Sequence, residues 1–420
     1  MLEKTKRKVN EYFITKTDFL KKKDSLSEDQ LRGFVAKTLD EFCDKEETVL
    51  TTEERMNFIR ELVGSVISYG PIRPLLEDGR ISEIMINGPR QIYVEKSGQI
   101  ELTDVKFEGE RQLLHAIQKI LESSGSGRRV DESSPYVDFS LPDGSRVNVI
   151  LPPVSLSGPI VTIRKFSSEI SKIEDLLQRD TLSKKMAEFL IATIKAKLNI
   201  VFCGATGTGK TTTLNVLSRY IPQKERIITI EDTSELRLLQ EHVVKLQAKA
   251  ANIEGKGLIS IRDLFVNSLR MRPDRIIIGE VRGSEALEMI QAISSGHTGS
   301  LAIVHADSPV DCFNRLVTMI LISGIQLSVD EIRRQIATAI DLIVHTELMI
   351  DGKRKITHIA DLRYAEQNNK ISLDNIFYFK QEKIEKDNRV IGNWIFNKEK
   401  PSFYHKLEKR NVHLPQGFFD

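Results

Sequence analysis

Residues 204–211 constrain this chain more than any other stretch. Gly204-Ala205-Thr206-Gly207-Thr208-Gly209-Lys210-Thr211 fits the spacing GxxxxGK[ST], directly after the apolar run Asn199 to Cys203 and directly before the helix-like segment TTLNVLSRY, in which Thr212 continues the pattern. Glycines let such a turn wrap until its backbone N–H groups converge on one point, and the helix that begins there adds the positive end of its dipole. That is a cradle for phosphate. Lys210 then offers a point charge to the β- and γ-phosphates of a nucleotide, and the Thr211 hydroxyl is placed to bind Mg²⁺. The motif therefore demands strand, loop and helix in that order.

The sequence around it meets the demand. From Leu198 onward the short apolar runs NIVFCG, RIITIED, DRIIIGE and SLAIVHA alternate with helix-like segments. Uniformly apolar strands separated by helices mean a parallel sheet covered on both faces. We expect a RecA-like, doubly wound α/β domain over residues 167–376. Ahead of it, residues 56–166 carry β-branched runs broken by Gly-Pro, Asp-Gly and Ser-Gly turns, then the helix RQLLHAIQKILESSG. A hairpin follows, turning at Asp143-Gly144 with Arg146 on its second strand, and a further strand runs from Pro159 to Lys165. This is the pattern of a smaller α+β domain. Residues 1–55, rich in Lys and Glu, read as a helical extension, and residues 377–420 mix charge and aromatics without clear period. At 420 residues, against about 150 per domain, a modular chain is expected.

Composition removes several functions. Lys and Arg number 61 against 59 Asp and Glu, a formal charge of +2, so no global basic field exists to hold nucleic acid and no direct nucleic-acid partner is expected. Cys43, Cys203 and Cys312 form no CxxC pair, which fits neither a disulfide framework nor a zinc site and points to a reducing compartment. The opening MLEKTKRKVNEYF lacks the apolar stretch of a signal peptide, and no segment approaches the roughly eighteen apolar residues of a membrane span. A cytoplasmic location is expected, with any membrane role exercised through a partner.

Acidic residues close two of the apolar runs: Glu231-Asp232 after one and Glu280 after another. In open α/β sheets the carboxyl ends of strands are where ligands sit, so these join the phosphate loop as candidates. Gly279 stands where P-loop enzymes usually carry an Asp before the catalytic Glu, so metal coordination leans on Thr211, waters and Glu231 or Asp232. His297 and His305 flank the run SLAIVHA downstream of Glu280. Two readings stay open for them, structural histidine or γ-phosphate sensor, and no third residue supports a metal site.

At this point GATGTGKTT, TIEDTSEL, MRPDRIIIGEVRGSEAL and GHTGSLAIVHADSP resemble the Walker A, Asp box, Walker B and His box of the type II/IV secretion ATPase superfamily. Upstream, GRRVDESSPYVDFSLPDGSRVNVILPP and GPIVTIRKFS resemble the CpaF/TadA subgroup, the motor of tight-adherence (Flp) pili, and the similarity runs from about Leu75 to Leu362. The resemblance implies a PAS-like N-terminal domain and ATP hydrolysis with Mg²⁺. It implies a ring-shaped homo-hexamer with nucleotide held between the two domains. It also implies an inner-membrane platform protein as partner, so that pilus assembly or secretion is driven from the cytoplasmic face. In that family Glu231 and Asp232 would be the Asp-box acids, Glu280 would order the attacking water, and Gly279 is normal. The strings SRVN and TIRK resemble those that supply phosphate-facing arginines, which assigns that role to Arg146 and Arg164; the alternative is two exposed strand arginines in surface ion pairs. A P-loop would equally suit a GTPase, but Asn397-Lys398-Glu399-Lys400 lacks the Asp of a guanine motif. A RecA-type DNA-translocating or DNA-remodelling ATPase remains the alternative.

Overall fold

β-Branched and apolar residues at period two build the first half of the chain, and unbroken apolar runs build the second. The computed structural model describes residues 28–46, 50–59 apart from 53 and 57, 69–96, 99–125, 127–165, 170–249, 256–365, 367 and 370–420. Of the helical extension expected over residues 1–55, Glu28–Lys45 is a helix, while residues 1–27 lie outside the described residues. The chain divides into two compact units between Ser167 and Ser168.

The first unit is a sheet of six strands: β1 (Ile81–Asn87), β2 (Ile92–Lys96), β3 (Gln99–Leu102), β4 (Tyr136–Ser140), β5 (Arg146–Ile150) and β6 (Ile160–Arg164), in the order β3-β2-β1-β6-β5-β4. Every neighbouring pair is antiparallel. The helix Glu110–Ser123 buries Leu113, Ala116, Ile117, Ile120 and Leu121, a stripe at helical spacing, in one core with inward residues such as Ile84, Val94, Val147 and Ile163. The expected hairpin is β4–β5: Gly144 takes φ 92 in its turn, and Asp143 accepts the Ser145 N–H at 2.9 Å.

The second unit is a mixed sheet of nine strands. These are β7 (Ile200–Gly204), β8 (Ile227–Glu231), β9 (Val243–Gln247), β10 (Arg275–Ile278), β11 (Leu301–His305), β12 (Leu342–Leu348), β13 (Arg354–Ala365), β14 (Lys370–Ile384) and β15 (Val390–Phe396). Their order is β15-β14-β13-β12-β7-β11-β10-β8-β9. From β12 to β9 all neighbours are parallel; from β12 to β15 all are antiparallel. Strands β7, β8 and β10 are buried along their whole length, which requires cover on both faces. Helices Lys184–Lys195 and Lys210–Ser218 share one core; helices Ile261–Ser268, Glu285–Ser294, Pro309–Ile322 and Val329–Ala339 share the other. Ser183, Ser260, Ser308 and Ser328 each cap a helix by accepting a backbone N–H in its first turn.

Residues from Phe377 onward are not an appended tail. Phe377 lies inside β14, β15 forms the sheet edge, and Phe403, Leu407 and Phe418 pack into the same core as the phosphate-loop helix. The sequence hid this because the far end of β14, Lys380 to Ile384, is exposed at every position and shows neither an apolar run nor alternation. Among the described residues no helix is long and apolar enough to cross a membrane.

Candidate nucleotide-binding site

Parallel strands that start together end together, and their ends define the site. Register pairs Gly204 of β7 with His305 of β11, Ala302 of β11 with Ile278 of β10, and Ile278 with Ile230 of β8. The phosphate loop, Glu280, His305 and Glu231 therefore gather on one edge. Gly204, Gly207 and Gly209 take φ of 153, 77 and 95, conformations that L side chains rarely adopt. At Gly204 a Cβ would also lie 2.2 Å from the Thr346 carbonyl oxygen and 2.6 Å from Thr208 Oγ1. Helix Lys210–Ser218 starts at Gly209 with no side-chain cap, so its first N–H groups remain available to an anion.

Lys210 is buried, and its Nζ donates to the carbonyls of Gly204 at 2.9 Å and Ala205 at 2.6 Å. It also stands 3.5 Å from His305 Nδ1. Burial lowers the Lys210 pKa, with the charge of Glu280 opposing. His305 Nε2 in turn lies 3.2 Å from Glu280 Oε1. The other Glu280 oxygen accepts from Arg282 Nη2 at 2.7 Å, and Arg282 Nη1 is 3.7 Å from Asp232. Burial pulls the Glu280 pKa up, but the Arg282 hydrogen bond and the charges of Arg282 and Lys210 outweigh it and hold the group ionised. Burial and Lys210 push His305 down against the pull of Glu280, so its ring is neutral at pH 7. One polar chain thus runs Lys210, His305, Glu280, Arg282, Asp232.

Glu231 is buried, and its Oε1 accepts the backbone N–H groups of Glu235 at 2.7 Å and Leu236 at 2.8 Å. Burial pushes its pKa up to about 7, against those two bonds. It shapes the loop after β8 and aims Glu235, whose Oε2 lies 3.3 Å from Thr211 Oγ1. Sequence reasoning missed Glu235; the third acid of Glu231-Asp232-Thr233-Ser234-Glu235 was the available signal. Gly279 also finds its reason here, since a Cβ at 279 would meet Glu231 Cγ at 2.7 Å. The missing Asp and the buried Glu are one fact: Glu231 fills the space.

Thr211, Glu235, Asp232 and Glu280 present hard oxygen donors at the mouth of the phosphate loop. Among the described residues no group of three or more His, Cys, Asp or Glu could hold a metal alone. The Thr211 hydroxyl with the Glu235 carboxylate beside it is a donor set that would take Mg²⁺, an ion that keeps several waters and takes phosphate oxygens beside one or two protein ligands. Phosphate, in turn, fits a loop whose lysine now rests on backbone carbonyls.

The two histidines separate. His297 precedes β11, its Nδ1 3.3 Å from the Ala292 carbonyl, whereas His305 ends that strand. The two rings flank opposite ends of β11, and His305 alone reaches the phosphate loop, because in a parallel sheet one end of each strand faces the site. Arg146 and Arg164 belong to the first unit, where they are directly opposed on β5 and β6. Arg146 is half-buried there and Arg164 exposed.

The β12–β13 hairpin was missed. Thr208 Oγ1 bonds the Ala205 carbonyl at 2.9 Å and Thr346 Oγ1 at 3.0 Å, and Arg354 Nε donates to the Gly207 carbonyl at 2.7 Å. Its Asp351-Gly352 turn was the readable signal.

Comparison with known proteins agrees with this geometry. The family described as "Type II/IV secretion system protein" matches residues 67–372. A putative conjugal transfer protein of Mycobacterium tuberculosis is 30% identical over 314 residues, 73% of this chain and 88% of that protein. The type IV secretion system protein VirB11 of Bartonella quintana is 32% identical over 339 residues, covering 71% of this chain and 93% of its own length. The pilus retraction motor PilT, solved with bound ADP, is similar in fold, with TM-score 0.50 and 22% identity over 71% of this chain and 84% of that one. Phosphate loop, acidic strand ends, mixed α/β sheet and these matches place the chain in the type II/IV secretion system protein family.

Proposed function

We propose that this protein is an ATP-hydrolysing motor of the CpaF/TadA subgroup, powering pilus assembly or secretion from the cytoplasmic face of the inner membrane. It works as a homo-hexamer, has a PAS-like first unit, and docks on a membrane platform protein. The observation that carries the reading is the chain from Lys210 through His305 to Glu280, set on the carboxyl edge of a parallel sheet.

Its residues divide the work. Lys210 exchanges the carbonyls of Gly204 and Ala205 for the β- and γ-phosphates of ATP, a cation trading neutral acceptors for charged ones. The loop from Gly204 to Thr212 supplies N–H groups to the same oxygens. Thr211, with Glu235 or Asp232, holds Mg²⁺, which when bound neutralises charge on the phosphates. Glu280, ionised and open on one side, orients the attacking water and accepts its proton. The water oxygen bonds the γ-phosphorus while the bridging oxygen leaves with ADP. Neutral His305, between Lys210 and Glu280, registers whether the lysine is engaged. Arg146 and Arg164 supply cations to the γ-phosphate from the first unit of the same or a neighbouring subunit.

Lys210→Ala tests the site. ATP turnover is expected to fall by about a hundredfold or more with the thermal melt unchanged, and a variant that hydrolyses at the parental rate contradicts the assignment.

A further inference from the structure

The β12–β13 hairpin overhangs the phosphate loop. β12 follows β7 until His345 faces Cys203, then runs on to Leu348, which faces Arg354 across the hairpin. Arg354 is an exposed residue whose stem lies on the loop, since a Cβ at Gly209 would meet its Cδ at 3.3 Å. Its Nε donates to the Gly207 carbonyl at 2.7 Å. Among the described residues no carboxylate pairs with it. A guanidinium usually seeks an acid; this one is spent on a backbone oxygen of the phosphate loop.

We propose that Arg354 is a positioning residue for nucleotide phosphate, acting through the peptide that joins Gly207 to Thr208. In a trans peptide the C=O and the next N–H point in opposite directions. Holding the Gly207 carbonyl outward on Arg354 therefore turns the Thr208 N–H inward, toward the phosphate. Rotating that peptide turns ψ of Gly207, which has no Cβ to oppose it, together with φ of Thr208. A flipped peptide would present a carbonyl oxygen to an anion. Thr208 Oγ1 is held by the Ala205 carbonyl and Thr346 Oγ1, and Arg354 holds the Gly207 carbonyl, so this peptide is fixed from both of its ends. A cation on the carbonyl also polarises the peptide and strengthens its N–H as a donor. The inference rests on the reading of residues 204–211 as a phosphate loop and adds the hairpin to it.

The test is calorimetric titration of full-length wild type, Arg354→Met and Arg354→Lys with Mg-ADP and with the Mg complex of a β,γ-imido ATP analogue. Met keeps the stem on Gly209 and removes the donor. It should weaken both nucleotides equally, by about tenfold, while kcat at saturating ATP stays within about threefold. Lys restores a charged donor and should recover most of the affinity. A loss confined to the triphosphate means direct γ-phosphate contact and overturns the proposal, as does unchanged affinity in Met. Should Met fail a thermal-melt check for folding, Arg354→Gln decides: an equal loss of several-fold for both nucleotides supports the proposal, and unchanged affinity or a loss in the triphosphate alone overturns it. Wild type binding ADP in the same titration establishes the phosphate loop whatever Arg354 does, and a wild type that binds neither nucleotide sinks that reading and this inference together.

Discussion

The parallel and antiparallel halves of the nine-stranded sheet solve different problems. Strands β7, β8 and β10 are four or five residues long and wholly buried; β13 and β14 run for 12 and 15 residues, and β14 turns many of its residues outward. Parallel strands end on one edge, so the short half can gather Lys210, Glu280, His305 and Glu231 there. Antiparallel neighbours alternate direction, so their carboxyl ends are divided between two edges. The flank braces instead, through Thr346 and Arg354 on the phosphate loop and through Phe377 in the core. Chemistry and its mechanical support therefore sit in neighbouring halves of one sheet.

Removing a core ring from the flank should separate the two roles. Phe377 is 1% exposed, and its ring packs 5.7 Å from Phe189 and 4.8 Å from Phe396. Phe377→Ala is expected to lower unfolding free energy by about 3–5 kcal/mol in denaturant titration, with ATP turnover per folded molecule kept at low temperature. A cost below about 1 kcal/mol would mean that residues after 376 are an appendage after all.

A smaller effect probes the parallel half. Folding raises the Glu231 pKa from 4.5 to about 7, so the folded state holds this proton more tightly than the unfolded chain. Its contribution is fully present below about pH 4.5 and is lost as pH rises through about 7, a change of about 3 kcal/mol. Glu231→Gln keeps an acceptor for Glu235 and Leu236 but cannot ionise. Between pH 5 and 8 its stability relative to wild type should rise with pH, and a constant difference would show that the carboxylate is not strained by burial.

The same division explains what could be read from sequence. Uniformly apolar runs such as NIVFCG identify β7 and its parallel neighbours because burial on both faces leaves no other composition, and GxxxxGK[ST] locates the loop because phosphate wrapping needs those glycines. Period and spacing are local signals. Glu235, Thr346 and Arg354 act through contacts between residues 24, 138 and 147 positions apart, which no local pattern carries. His297 was drawn toward the site by sequence proximity to His305, and sheet direction separates them. β14 and β15 stayed invisible because few of their positions are fully buried and Lys380 to Ile384 are exposed in succession, which leaves no apolar run or period to read.

Glu280 bears the claim that this edge performs hydrolysis rather than mere nucleotide binding. Glu280→Gln should be measured side by side for equilibrium binding of ATP and for steady-state release of phosphate. Binding within about threefold of wild type, with turnover at least about tenfold slower, is the expected pair of results. A variant that loses ATP affinity while keeping wild-type turnover at saturation would contradict the account.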